Sequence, residues 1–182
     1  MRKDSCLICQ IVEGKIPSFK IAENSKAVAV LDINGANPGH AFIIPKGHYP
    51  IIEQVPDEDM GELFSLANKV SVALFDLLGA EGTNIFVCNG VPAGQTVAHF
   101  LINVVPRKQG DGINFQWKPR QLSEEEISTI ELRIKDELKG AAIEKKTLVA
   151  PRKSASPRQR TPSSRPVEME DEETEFQLTR IP

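Results

Sequence analysis

Two cysteines spaced Cys6-x-x-Cys9 stand near the start of this chain, and a third, Cys88, stands alone. In a reducing compartment that spacing points toward metal or redox chemistry rather than a disulfide framework. Cys88 reads in two ways: as a small buried strand residue, or as a thiolate able to attack phosphorus if its pKa is lowered. The histidines are His40, His48 and His99. Asp32 precedes Asn34-Gly35 and so reads as a turn-capping carboxylate, and Gly94 reads as a turn glycine.

Elements that position these groups follow from periodicity. Between residues 19 and 45 the segments FKIAEN, AVAVLDI and HAFIIP read as meander strands separated by turns such as NGANPG. From Asp57 to Leu78, Met60, Leu63, Phe64, Ala67, Val70, Leu74, Leu77 and Leu78 recur at helical steps. Asp57, Glu58 and Asp59 suit the positive N-terminus of that helix, and Gly79 can end it. Two strands follow, NIFVC from Asn84 and a second over 97–105, with the turn-like NGVPAG between them. Strand alternation in the second puts Ala98, Phe100, Ile102 and Val104 on one face and Val97, His99, Leu101, Asn103 and Val105 on the other. The polar residues thus share a face. A last helix starts at a capping box, Ser123 with Glu126, and carries the stripe Ile127, Ile130, Ile134 and Leu138 to a stop at Gly140. This order predicts an α+β domain over 1–140, built on an antiparallel sheet.

The segment 141–182 differs in composition. Pro151, Pro157, Pro162 and Pro166 punctuate basic residues Arg152, Lys153, Arg158, Arg160 and Arg165, and an acidic run from Glu168 to Glu175 follows. Such a stretch buries too little apolar surface to offset its ordering entropy, so a disordered basic-then-acidic tail is expected. Its end, EFQLTRIP, restores apolar residues Phe176, Leu178 and Ile181. An acidic run before alternating apolar residues suits strand addition to a protein partner, through residues 168–182.

Composition narrows the function classes. A net charge of −3 over 182 residues gives no general basic field for nucleic acid. The start MRKDSCLICQ has no secretory apolar region, and no later run is long enough to span a membrane. A cytoplasmic protein with small-molecule or protein partners is the expectation.

The segment GVPAGQTVAHFLINVVPR resembles the histidine-triad (HIT) superfamily, following its Gly-x-x-Ala-Gly-Gln-x-Val-x-His-x-His-x-His-x-x-Pro-Arg pattern at nearly every framework position. CLICQIVEGKIPS, VLDI, NPGHAFIIPKGH and GDGINFQW resemble further family segments in the same order, over roughly residues 4–138. The resemblance implies a HIT-like fold: a five-stranded antiparallel sheet with one long and one C-terminal helix, assembled as a homodimer. In active members the middle triad histidine attacks the α-phosphate of a nucleotide derivative, and water or another acceptor resolves the nucleotidyl-histidine.

Aligned at Gln95 and Pro106, the triad positions here are His99, Leu101 and Asn103. Leucine has no lone pair, and its presence should lower turnover by a factor on the order of 10⁴ to 10⁶. Asn103 can still donate to a phosphate oxygen but cannot carry an imidazolium's charge. The zinc-bearing branch of the family implies a structural Zn²⁺ site of Cys6, Cys9, His48 and His99, two thiolates and two imidazoles in a closed tetrahedron. The resemblance further places Leu31, Asp32 and Ile33 at the ribose, and Gly94, Thr96 and Asn103 at the phosphate of a purine nucleotide such as AMP or GMP. His40 is expected to support its strand.

These readings combine into a catalytically deficient, nucleotide-binding sensor or adaptor that recruits a protein through its tail. Two alternatives stay open. One is an active nucleotidyl hydrolase or transferase, acting on a nucleoside phosphoramidate or dinucleoside polyphosphate, with a displaced nucleophile. The other is an interaction scaffold with a vestigial pocket.

Overall fold

Alternating small and branched residues in AVAVL make a strand buried on both faces: Ala27, Val28, Ala29 and Val30 are all inaccessible to solvent or nearly so. The structure, a computed structural model, describes residues 5–140. Its elements run α1 (Leu7–Val12), β1 (Lys20–Glu23), β2 (Ala27–Leu31), β3 (Ala41–Pro45), α2 (Asp57–Leu78), β4 (Gly82–Phe86), β5 (Ile102–Arg107) and α3 (Glu124–Gly140). The strands form one five-stranded sheet in the order β1-β2-β3-β5-β4, with every neighbouring pair antiparallel. The fold class expected from the sequence is thus present. The tail 141–182 and its terminal motif lie outside the described residues.

Each sheet face has its own core. On one, Ala27, Ala29, Ala41, Ile43, Ile102 and Val104 meet Leu63, Leu66, Ala67, Val70 and Leu74 of α2. Small strand residues let the helix approach closely. On the other face Val28, Val30 and Ile44 meet Cys6, Ile8 and Cys9 of the short α1 region. The division follows the two-residue period of the strands.

Helix α2 begins at Asp57 and ends at Leu78, with Gly79 in the left-handed conformation (φ 58°), as its stop signal predicts. Its buried stripe differs in part from the sequence reading. Leu63, Ala67, Val70 and Leu74 face the sheet as expected, joined by Asp59, Leu66 and Ser71, whereas Phe64, Leu77 and Leu78 are exposed. The apolar run is wider than the face the sheet can cover.

Strand β5 begins at Ile102, not at 97. The β3–β5 ladder stops at the pair Ile43 and Ile102, so residues 97–101 lie outside it although β3 itself runs on to Pro45. They are held instead by Phe100 N–H donating to the Tyr49 carbonyl at 2.6 Å and by the Gln95 amide donating to the Val97 carbonyl at 2.9 Å. β4 ends at Phe86, which leaves Cys88 outside the strand expected to contain it.

The described residues belong to two compact units that divide between Lys118 and Pro119. The sequence places its domain end at 140 from helix signals, which do not register this division. In the second unit α3 starts as its capping box predicts: Ser123 Oγ accepts from Glu126 N–H at 3.2 Å, and Ser123 N–H donates to Glu126 Oε2 at 2.8 Å. Ile127, Ile130, Ile134 and Leu138 remain about half exposed. Among the described residues no helix is long and apolar enough to cross a membrane.

Candidate metal centre and adjoining pocket

Cys6 and Cys9 come together because Cys6 caps α1 and Cys9 lies in its first turn, so three residues of sequence become one turn of helix. His48 follows β3, and His99 lies in the segment leading into β5. The ligand atoms of all four residues fall within 4.8 Å of one another. His48 Nδ1 and His99 Nδ1 are 3.3 Å apart. Cys9 Sγ lies 3.2 Å from His48 Nδ1 and 3.5 Å from His99 Nδ1, and Cys6 Sγ lies 3.5 Å from His99 Nδ1.

These separations fit a tetrahedral metal. With Zn–N about 2.05 Å and Zn–S about 2.3 Å, tetrahedral edges are roughly 3.3 Å between nitrogens and roughly 3.5 Å between nitrogen and sulfur. The orientation of His99 fits as well. Its Nε2–H donates to the Pro45 carbonyl at 3.3 Å, which leaves the Nδ1 lone pair facing the cluster. Burial lowers the His99 pKa to about 4, with the neighbouring His48 adding to the shift and the Pro45 bond opposing it, so the ring is neutral at neutral pH. His48 Nε2 has no hydrogen-bond partner and is buried.

A cavity of about 320 Å³ adjoins this cluster and shares His99 with it. Its walls include Ile8, Phe42, Val97 and Leu101, with Asp32, His40, Cys88, Gly94, Gln95, Thr96 and Asn103 supplying polar atoms. That volume lies at the lower end of the range for small-molecule sites. Leu101 also packs against the core that holds both cysteines. Where the family pattern carries its middle histidine, the pocket wall is therefore hydrocarbon.

Of the residues the sequence assigned to a nucleotide, Asp32, Gly94, Thr96 and Asn103 line this cavity. Leu31 lines a different groove, against α2, and Ile33 is 77% exposed. Asp32 also caps its turn, accepting Asn34 N–H at 2.9 Å through Oδ1. The turn-capping reading of Asp32 is thus present, on a side chain that also lines the cavity.

His40 has a larger part than its sequence reading gave it. Its Nδ1 accepts Ala36 N–H at 3.2 Å, so Nε2 carries the hydrogen and donates to Asn103 Oδ1 at 3.2 Å. That bond turns the Asn103 amide nitrogen toward the Phe86 carbonyl, 3.4 Å away. Gly35 makes room for the ring, since a Cβ there would lie 2.7 Å from His40 Cβ. The NGANPG turn therefore positions a pocket wall, which composition alone does not reveal. Ile8 and Phe42 were also missed, because contacts between a six-residue helix and a distant strand have no local sequence signal.

The loop before β5 is rigidly tied. Gln95 Oε1 accepts Gly90 N–H at 2.7 Å, and Gln95 Nε2 donates to the Pro50 carbonyl at 2.7 Å. Gly94 has φ 89°, a conformation a side chain would strain. Asn89 points elsewhere, accepting Ile52 N–H at 3.0 Å and donating to Glu53 at 2.8 Å.

At the far end of β5, Arg107 donates to Asp111 at 2.6 Å and to the Asn84 side chain and the Ile113 carbonyl. Asn37 donates to Asp111 at 2.9 Å and to the Pro106 carbonyl at 2.8 Å, closing the network. The Arg107 guanidinium and the Ile113 backbone amide hold the Asp111 carboxyl well below the usual carboxylate range.

A family model for the HIT domain matches residues 13–110. An adenosine 5′-monophosphoramidase of Schizosaccharomyces pombe is 34% identical over 136 residues, covering 74% of this chain and 99% of that protein. An adenylylsulfatase of Arabidopsis thaliana is 35% identical over 109 residues, which are 60% of this chain and 55% of that protein, so the match spans about half of the plant relative's length. A zinc-bound histidine-triad protein structure from Mycobacterium smegmatis superposes with a TM-score of 0.59 at 31% identity, covering 77% of this chain and 99% of that one.

Proposed function

This chain belongs to the HIT domain family, and we propose that it binds a purine nucleotide in the cavity beside the Cys/His cluster without turning it over. The observation that carries this reading is Leu101 in the cavity wall. At that place in the family pattern an active member presents its nucleophile, and a hydrocarbon side chain can form no bond to phosphorus. Asn103, the next replaced position, is a neutral donor whose carbonyl is already engaged by His40.

Cys6, Cys9, His48 and His99 would hold zinc, which supplies a closed cross-link between α1 and the two segments flanking the sheet. Separations that match metal–ligand bond lengths, the Pro45 bond to His99 and the likeness to the zinc-bound Mycobacterium smegmatis structure support that assignment. In this reading the chain is a cytoplasmic homodimer. Exposed Phe64, Val72, Phe75 and Leu78 on one side of α2 support an interface between copies. Residues 168–182 recruit a protein partner, which makes the chain a sensor or adaptor.

Calorimetric titration with AMP and GMP, paired with a hydrolysis readout on an adenosine phosphoramidate, tests the proposal. Binding heat without release of nucleoside monophosphate is expected. Cys88 also lines the cavity, so release that disappears in Cys88→Ala would establish the displaced-nucleophile enzyme instead. Absence of heat at millimolar ligand would leave the scaffold reading.

A further inference from the structure

The polar inventory of the described cavity lining consists of hydrogen-bonding groups and one carboxylate. Among the described residues that line it there is no lysine or arginine, and the one carboxylate is that of Asp32. Both His40 ring nitrogens are engaged within the protein, and Nδ1 also lies 3.5 Å from Asp32 Oδ2. Its Nδ1 accepts a backbone N–H from Ala36 and its single ring hydrogen is directed at Asn103 Oδ1.

Backbone amides of the glycine turn are committed inward as well. Ala93 N–H and Gln95 N–H donate to the Gly90 carbonyl at 3.1 and 3.2 Å, and Gly94 N–H donates to the Val91 carbonyl at 3.0 Å. They are therefore turned away from any anion in the cavity. The Cys/His cluster adds nothing to the charge balance when metal is bound: two thiolates cancel a divalent cation, and the imidazoles are neutral. The side-chain donors that face a phosphate include the Thr96 hydroxyl and one hydrogen of the Asn103 amide, beside the Leu101 side chain.

We infer that this pocket selects a nucleoside, or a nucleoside whose 5′ substituent is uncharged, over the corresponding monophosphate. The inference rests on the reading of the cavity as a nucleoside-binding site. A dianion brought against neutral donors and a carboxylate loses hydration that the site does not replace. The uncharged part of the ligand meets what the cavity does offer. Phe42, Val97 and Ile8 provide apolar walls for a base, and the Asp32 carboxylate is an acceptor for ribose hydroxyls. The same replacement that removes the nucleophile thus changes the class of ligand held.

The test uses the full zinc-loaded chain and compares adenosine with AMP, and inosine with IMP, by calorimetry at 50 mM and 500 mM salt. Each nucleoside is expected to bind more tightly than its monophosphate, by about threefold to tenfold. Monophosphate affinity is expected to hold or rise with salt, because screening weakens repulsion from Asp32. In the double variant Leu101→His, Asn103→His at pH 6, the ratio should move toward AMP by about tenfold. Monophosphates binding more tightly than nucleosides in the unaltered chain, with affinity falling as salt rises, overturn the inference and leave the nucleotide-binding reading standing. Failure of all four ligands to bind at millimolar concentration overturns both.

Discussion

The Cys/His cluster and the cavity beside it share His99, yet they differ in completeness. In the cluster all four donors implied by the family resemblance are present, and the separations of 3.2 to 3.5 Å among His48, His99 and the two thiols fit a tetrahedral metal. In the cavity two triad positions are Leu101 and Asn103, and the Asn103 carbonyl is tied to His40. The difference separates two demands on one strand. Holding α1 to the sheet needs lone pairs at fixed positions, whereas turnover needs a nucleophile and positive charge. Four candidate donors for the first lie together, whereas Leu101 and Asn103 stand at two of the triad positions.

The largest effect should come from breaking the cluster. Cys9→Ser removes a thiolate that joins α1 to the sheet, and is expected to abolish stoichiometric zinc binding and to lower the melting temperature by roughly 10 °C or more. Metal analysis of the purified variant checks the first outcome and thermal unfolding the second. A variant that keeps one zinc per chain and its melting temperature would dissolve the contrast between the two regions.

Next in size is the effect of zinc removal on the pocket. His99 and Ile8 line the cavity while His99 and the flanking cysteines form the cluster. Chelation should therefore weaken nucleoside binding about tenfold, through loss of the α1 wall. Equal affinity in chelated and zinc-loaded protein would show the two regions to be independent.

Changes confined to the pocket should spare the metal. Asp32→Ala is expected to weaken nucleoside binding by about fivefold to tenfold, the value of one hydrogen bond, with zinc content unchanged. Loss of zinc in that variant would instead make the pocket and cluster one folding unit.

Arg107 provides a control outside both regions. Arg107→Ala should lower the melting temperature by several degrees without changing zinc stoichiometry. It should also alter the acid transition. The folded Asp111 carboxyl is held below its unfolded value, so its contribution is present above the ordinary carboxylate range and is lost as pH falls toward the folded value. Removing the guanidinium should shrink that pH-dependent component, measurable by comparing unfolding at pH 7 and pH 3.

How much of this was legible in the chain depends on the range of each interaction. The bounds of α2 follow from Asp57 and Gly79, and the start of α3 follows from Ser123 and Glu126, because caps act within one helical turn. The facing of Phe100, Ile102 and Val104 toward one core follows from the strand period. The ladder's start at Ile102 does not, because Phe100 N–H is taken instead by the Tyr49 carbonyl, far earlier in the chain. Placement of Ile33 in solvent and Leu31 in a separate groove likewise depends on the path of the β2–β3 turn.

Residue type and spacing alone carry the family pattern, the candidate donor set and the hydrocarbon side chain of Leu101 at a triad position. The folded arrangement was needed to learn that Pro45 fixes the lone pair of His99, that His40 fixes the amide of Asn103, and that the turn amides face inward. Those are directional contacts between segments that the fold brings together, and hydrogen-bond direction is set by where the partners come to rest. Leu101 thus gains a second meaning from its surroundings: it stands beside an Asn103 amide held by His40, in a wall where the described residues include no lysine or arginine.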